Sequence, residues 1–457
     1  MRLDKNQLLF LLLLIEAIVV YLLAPKVSNY GFNVFCAIQY ILSCVLFFIL
    51  KKKKNYLDFD VIFMITYFFA LFFYPVFLFE NDPTRFFMFN LEFNHDVISR
   101  ATALSLLGMN AYIFGSFLCK QKGGRENVMQ NVGKIPVTNL LMIVILSFLG
   151  YVVFGGYGQL AGEYSEEVQQ GSSIAKYVFM FVPSFLYAAI IIGFYNLVIK
   201  NPNKFHFINL NKFLLFVVLS LFLLMLATGS RTIPLQILLI IAGLYTLFYK
   251  QLSFFKLIPL IFLGMIGMFF IGIMRDPNSS TGNFQLIDIF MDLVICNRNS
   301  FVAADYVDQN GLTWGRSMLG SFLAPIPFLQ NIVCSLFGIE TWTIASSMII
   351  TMFTFDGGEG FGLGTNIIAD IYMSFGMIGV IVLMAALGYF INYLLYKSKS
   401  SIYALAGYAI MMSYSIFLVR AEFTFFLRVL IWTLCIINIA KLHRISYSFN
   451  LKKHLQN

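Results

Sequence analysis

Apolar residues fall into successive runs of membrane length, joined mostly by short polar connections, and predict membrane-spanning helices over residues 7–23, 33–50, 59–79, 101–118, 138–154, 174–198, 213–228, 232–249, 257–274, 371–396, 402–419 and 423–440. A span needs about 20 apolar residues and must satisfy its own backbone, so these runs are helices. The short alternating strands of a membrane barrel are not seen. Tyr74-Pro75 predicts a kink in the third span, because proline removes a helical hydrogen bond.

One stretch breaks the pattern. Residues Arg275 to Asp370 could not sit in a bilayer throughout, and they carry NRNS (Asn297 to Ser300), GLTWGRS (Gly311 to Ser317) and GGEGFGLGTN (Gly357 to Asn366). The chain therefore divides into spans one to nine (1–274), a large loop (275–370), spans ten to twelve (371–440) and a basic tail (441–457). Within the loop, LAPIPFLQNIVCSLF (Leu323 to Phe337) is apolar enough to raise the question of a thirteenth span. Its two prolines, and the side on which the tail would then fall, argue instead for amphipathic or re-entrant helices at the membrane surface. FQLIDIFMDLVI (Phe284 to Ile295) reads the same way, with Asp288 and Asp292 on one helical face.

Composition agrees with this class: 60 % hydrophobic and 12 % charged residues, with a mean hydropathy of +0.82, far from the roughly 25 % charged residues of a soluble domain. The net charge of +9 could point to nucleic acid, but its distribution decides otherwise. Of 31 basic residues, 21 lie in the even-numbered connections and at the termini, including Lys51 to Lys54 and Lys441. By the positive-inside rule both termini are cytoplasmic and the long loop is outside, on the side that carries 17 of the 22 acids. Met-Arg-Leu-Asp-Lys before an apolar run resembles a signal peptide. No small-x-small cleavage site follows at Tyr21 to Lys26, so the first span reads as an uncleaved anchor. Among six cysteines only Cys296 and Cys334 lie outside, where a disulfide is an alternative to the better reading of buried apolar thiols.

The choice of cation is informative. Lysine dominates the cytoplasmic side, whereas outside stand Lys26, Lys176 and Arg85, Arg100, Arg231, Arg275, Arg298, Arg316, Arg420 and Arg428. Guanidinium matches phosphate oxygens in a planar, bidentate manner, which suits a pyrophosphate whose lipid tail stays in the membrane. Snorkelling to headgroups is the ordinary role of any single one. Arg231 sits in a tight turn after TGS, Arg275 ends span nine and Arg420 ends span eleven. Arg428 is placed about 8 Å inside span twelve at 1.5 Å per residue, a depth that calls for a partner or a wet cavity. Glu422, between Arg420 and Arg428, is their natural partner and a candidate to orient an arginine or accept a proton from a sugar hydroxyl. Asp356, Glu359, Asp370 and His95 are further candidate bases. GGEGFGLG lacks the Lys-Ser/Thr of a phosphate-binding loop and reads as a tight connection into a helix starting near Thr365. Trp314, Trp342, Tyr306 and Phe361 could stack on sugar rings or form an interfacial belt.

The order TGSRT, an arginine closing the next span, NRNSF, a long glycine-bearing loop, IIADIYMSFGMIGVIVLMAALGYFI and RAEFTFFLRVLIW resembles the Wzy-type O-antigen and capsule polymerases of bacteria, over roughly Phe213 to Ala440. The resemblance implies an all-α polytopic protein with about 12 spans, similar to the C-type glycosyltransferases and O-antigen ligases. It implies transfer of a growing glycan from undecaprenyl diphosphate to a hydroxyl of an incoming undecaprenyl-diphosphate-linked repeat unit, on the outer face of the cytoplasmic membrane. No cofactor, nucleotide sugar or metal is implied; a chain-length regulator and a flippase are the implied partners.

By position, Arg231, Arg275, Arg298, Arg420 and Arg428 match the family's phosphate-handling arginines. The candidates for catalysis are Arg231, Arg275, Arg420 and Glu422. Those for binding diphosphate or glycan are Arg298, Arg428, Arg316 and Asn366. The ligases use a histidine in the long loop that this chain lacks, which leaves the base open. A lipid-linked oligosaccharide flippase and an O-antigen ligase are the alternatives; the first would show repeated halves, which the sequence does not. The loop itself reads as a cover over a site seated on the ends of the spans.

Overall fold

The computed structural model describes residues 4–81, 86–119, 133–156, 173–200, 205, 209–227, 230–275, 288–355 and 362–454. Every regular element among them is a helix. The first half contains α1 (Lys5–Leu22), α2 (Tyr30–Lys51), α3 (Phe59–Leu71), α4 (Phe73–Phe77), α5 (Ile98–Leu118), α6 (Thr138–Tyr151), α7 (Ser173–Lys200) and α8 (Lys212–Ala227). The rest comprises α9 (Thr232–Phe248), α10 (Phe254–Arg275), α11 (Asp288–Val294), α12 (Asn297–Asn310), α13 (Leu319–Leu323), α14 (Leu329–Phe337), α15 (Ser346–Thr354), α16 (Ile367–Lys397), α17 (Ile402–Tyr414) and α18 (Leu427–His454). Six are long and apolar enough to cross a membrane; α3, α9 and α17 are apolar but shorter, as are the described apolar parts of α8 and α10.

The bundle is built around α5, almost all of which is buried. Its most extensive contact is with α16, and α1 and α2 pack on its flanks. Small residues let the two central helices touch. A Cβ on Gly115 would stand 1.9 Å from the Ala385 carbonyl oxygen, and one on Gly388 2.0 Å from that of Tyr112. Both obstacles are backbone, so Gly115→Ala or Gly388→Ala forces the helices apart. Each is expected to cost on the order of 3 kcal/mol, read as a lowered thermal midpoint in detergent.

One expectation changes, and two further segments gain detail. The third span is two helices, α3 and α4, broken at Phe72, and Pro75 falls early in α4 where a missing N–H is tolerated. Span ten begins at Ile367 behind the Asn366 cap. It bends at Gly376, whose φ of 63° and ψ of −156° exclude an L side chain. Leu323 to Phe337 runs from the last residue of α13 through the nine-residue α14, too short to cross a membrane. The lysine run is also more than a topology signal. Lys53 bridges Asp58 and Asp60, the Tyr112 hydroxyl donates to Asp60, and Lys51 reaches Asn392, tying α2, α3, α5 and α16 together. Cys296 and Cys334 are separate, buried free thiols.

Candidate active site

Glu422 lies in the turn between Arg420 and α18. The Phe425 N–H donates to the Glu422 carbonyl at 3.0 Å, and that of Leu427 to Thr424 at 2.9 Å. These bonds stop the chain from continuing as a helix after span eleven. The turn is anchored from outside by Asp370, in the first turn of α16 and completely buried, whose Oδ2 accepts the Phe423 N–H at 2.8 Å. Ser347 Oγ donates to Glu422 Oε1 at 3.0 Å. Burial holds the Glu422 carboxyl above the ordinary glutamate value, with the hydroxyls of Ser321 and Ser347 working in the opposite direction.

Glu422 opens onto a cavity of about 280 Å³. Its other walls are Gly320 and Ser321 from α13 and Ala324 that caps it, Gln330 and Asn331 from α14, Thr341, Ile344 and Ala345, and Phe425 and Arg428. The walls are held by short-range locks. Gln330 donates to the Gly320 carbonyl, the Ser321 and Thr424 hydroxyls bond each other, and Trp432 Nε1 donates to the Pro325 carbonyl at 2.6 Å. The rings of Tyr177 and Phe328 pack in a tilted pair with centroids 4.7 Å apart, pinning the start of α14 to α7. Phe322, Ile326 and Phe328, interleaved in sequence with the cavity residues, are exposed. A chamber holding one carboxylate and one guanidinium thus adjoins an exposed apolar surface.

The structure sorts the residues singled out from the sequence. Glu422 and Arg428 share the cavity, but no salt bridge joins Glu422 to Arg420 or Arg428 among the described residues; its carboxylate is held by a serine. Arg428 is the second residue of α18 instead of a turn and a half into a span, because the helix starts only at Leu427. Its Nη1 lies 3.4 Å from Met180 Sδ, a weak contact that leaves the guanidinium to the cavity. Arg420 is exposed at the end of a 3₁₀ turn, because α17 stops at Tyr414, short of the expected span end. It lies close enough to Cys296 to oppose the burial that pushes that thiol up to about 11.

Arg231 is paired with Asp292 of α11. Arg298 is 2 % exposed, donates to the Glu92 carbonyl at 2.9 Å and lies over the Phe93 ring, on the side of residues 86–93 and not in the cavity. Burial lowers its guanidinium to about 10. Asn366 caps α16, accepting from Ala369 N–H at 2.9 Å and donating to the Cys296 carbonyl and Ser300 Oγ at 2.8 Å each. With these bonds filled and the residue fully buried, its observed work is to clamp α12 to α16. Arg316 is exposed in a 3₁₀ turn and does not line the cavity. Arg275 closes α10, its side chain lying outside the described residues with Arg85, Asp356, Glu359 and Phe361. The cavity residues missed from the sequence are Ser321, Gln330, Asn331 and Thr341; the apolar character of residues 323–337 concealed two of them.

The fold is that of a multi-pass helical membrane protein with a charged cavity beside the first turn of its last helix. A family model described as O-antigen polysaccharide polymerase Wzy matches residues 6–453, and the chain belongs to that family. It is an O-antigen polymerase, a membrane enzyme of polysaccharide biosynthesis that joins repeat units. No curated protein and no solved structure matches the chain.

Proposed function

We propose that the polymerase transfers the growing glycan from undecaprenyl diphosphate to a hydroxyl of an incoming lipid-linked repeat unit, with the reacting atoms in the Glu422–Arg428 cavity. The observation that carries this reading is the pairing, in one chamber, of a half-buried carboxylate with a guanidinium that no carboxylate neutralises among the described residues. Glu422 takes the proton of the acceptor hydroxyl as its oxygen bonds to the anomeric carbon. The bond from that carbon to the diphosphate oxygen breaks, and the lipid diphosphate leaves with its electron pair. Arg428 faces the departing negative charge, and a preorganised cation there lowers the barrier. The lipid chains lie along the apolar flank at Phe322, Ile326 and Phe328. Arg420, exposed beyond the end of α17, draws the anionic headgroups in, and Arg231, held by Asp292, stands at the start of α9. The loop 275–370 supplies the roof, and the site faces outside with both termini cytoplasmic.

Purified protein given only lipid-linked repeat units, with chelator and no nucleotide, is expected to form long glycan. Absence of polymer until a nucleotide sugar or metal is added would overturn the proposed chemistry. The raised carboxyl of Glu422 adds a pH prediction. A base works only when deprotonated, so activity is full above its pKa and falls as pH drops through it. That acidic limb should lie at higher pH than an ordinary glutamate, about 4.3, would give; a rate constant down to that value would contradict the role.

A further inference from the structure

Glu16 stands apart from the site. It lies about 16 Å along α1 from Lys5 at 1.5 Å per residue, near the middle of a helix long and apolar enough to cross a membrane, and its side chain is exposed on the outer face of the bundle. Its described partner is Gln39 of α2, whose Nε2 donates to Oε2 at 3.0 Å. Around this pair the surface is apolar: Leu12, Ile15 and Val19 on α1, and Phe35, Ile38 and Leu42 on α2, are all exposed or largely so. Ionisable residues at that depth normally face a bundle interior or a wet cavity. Here lipid tails, which neither donate nor accept, would face a carboxyl and an amide.

We propose that the α1–α2 face binds a second copy of this chain, with the Glu16–Gln39 pairs of the two copies hydrogen-bonded to each other in mid-membrane. The pair is self-complementary. The Glu16 carboxyl has a second oxygen that can accept, and Gln39 adds a second N–H and a carbonyl. Two copies share one membrane and one orientation, so a twofold axis along the membrane normal sets α1 against α1 at equal depth. Symmetry then supplies to each pair what it lacks, whereas a foreign helix would have to bring matching groups at that level by itself. The apolar side chains above and below the pair complete the contact by packing.

The test uses the full chain in its native membrane. Leu12→Cys and Val19→Cys variants, mildly oxidised, are expected to give a disulfide-linked species of twice the monomer mass. The parent with its native cysteines and Phe216→Cys on the exposed face of α8 serve as controls and remain monomeric on the gel. Adding Glu16→Leu with Gln39→Leu should bring the cross-link down to control level; Glu16 is exposed and Gln39 partly exposed, and the thermal midpoint of the double variant is expected to match the parent's. Native mass spectrometry of the unaltered protein from lipid nanodiscs should give the dimer. A monomer mass, a cross-link to a different polypeptide, or a cross-link indifferent to the double substitution would overturn the proposal.

Discussion

Glu422→Gln is expected to abolish chain extension while leaving the protein folded in the membrane. The amide is isosteric, can still meet Ser347 Oγ through its oxygen, and removes the basic lone pair. Loss of a general base lowers turnover by about 10²- to 10⁴-fold, and a processive polymerase would then show single repeat units where the parent makes a ladder. The readout is glycan length on a gel alongside the thermal midpoint. The midpoint should stay close to that of the parent, because the Asp370 carboxylate that secures the Phe423 backbone is untouched. Glu422→Gln with an undiminished ladder would remove Glu422 from the chemistry.

Arg428→Ala is the second large effect. Its guanidinium has a thioether and the cavity for company, so its loss costs the fold little. Removing one preorganised donor from a developing negative charge costs about 10²- to 10³-fold in turnover, on the order of 3–4 kcal/mol. Arg428→Lys keeps a charge but not the planar fork that matches a phosphate, and should fall between the two. Equal activity of Arg428→Ala and the parent would place the diphosphate elsewhere. Arg298→Lys makes a useful contrast: a residue buried against Glu92 and Phe93 should change stability before it changes turnover.

What the sequence makes legible follows from which forces are local. A spanning helix must satisfy its own backbone, so each apolar run announces itself; the run read as 101–118 is the helix Ile98–Leu118. Neighbours across the bundle leave no such trace. The Gly115 and Gly388 contacts require knowing that α5 faces α16, and the role of Lys53 requires knowing that Asp58 and Asp60 face it.

The site divides along the same line. Glu422 and Arg428 could be singled out because charge is rare near a span. Gln330 and Asn331 could not, sitting on a short helix whose apolar residues dominate its reading. Asn366 stands beside glycines in the sequence, and only the folded chain shows its three bonds clamping two helices. Arg231 stands out in the sequence for its tight turn, but its partner Asp292 is remote along the chain; a helix of seven residues brings them together.

The central claim is that the lipid diphosphate and the acceptor hydroxyl meet in the cavity between α13, α14 and the first turn of α18. A photoactivatable side chain at Asn331, which lines that cavity, tests it most directly when membranes are supplied with radiolabelled lipid-linked repeat units and illuminated. The account predicts covalent labelling at position 331 that weakens when Arg428→Ala is added, and none at the exposed Ile378 of α16. Equal labelling at 331 and 378, or labelling at 331 unchanged by Arg428→Ala, would contradict it.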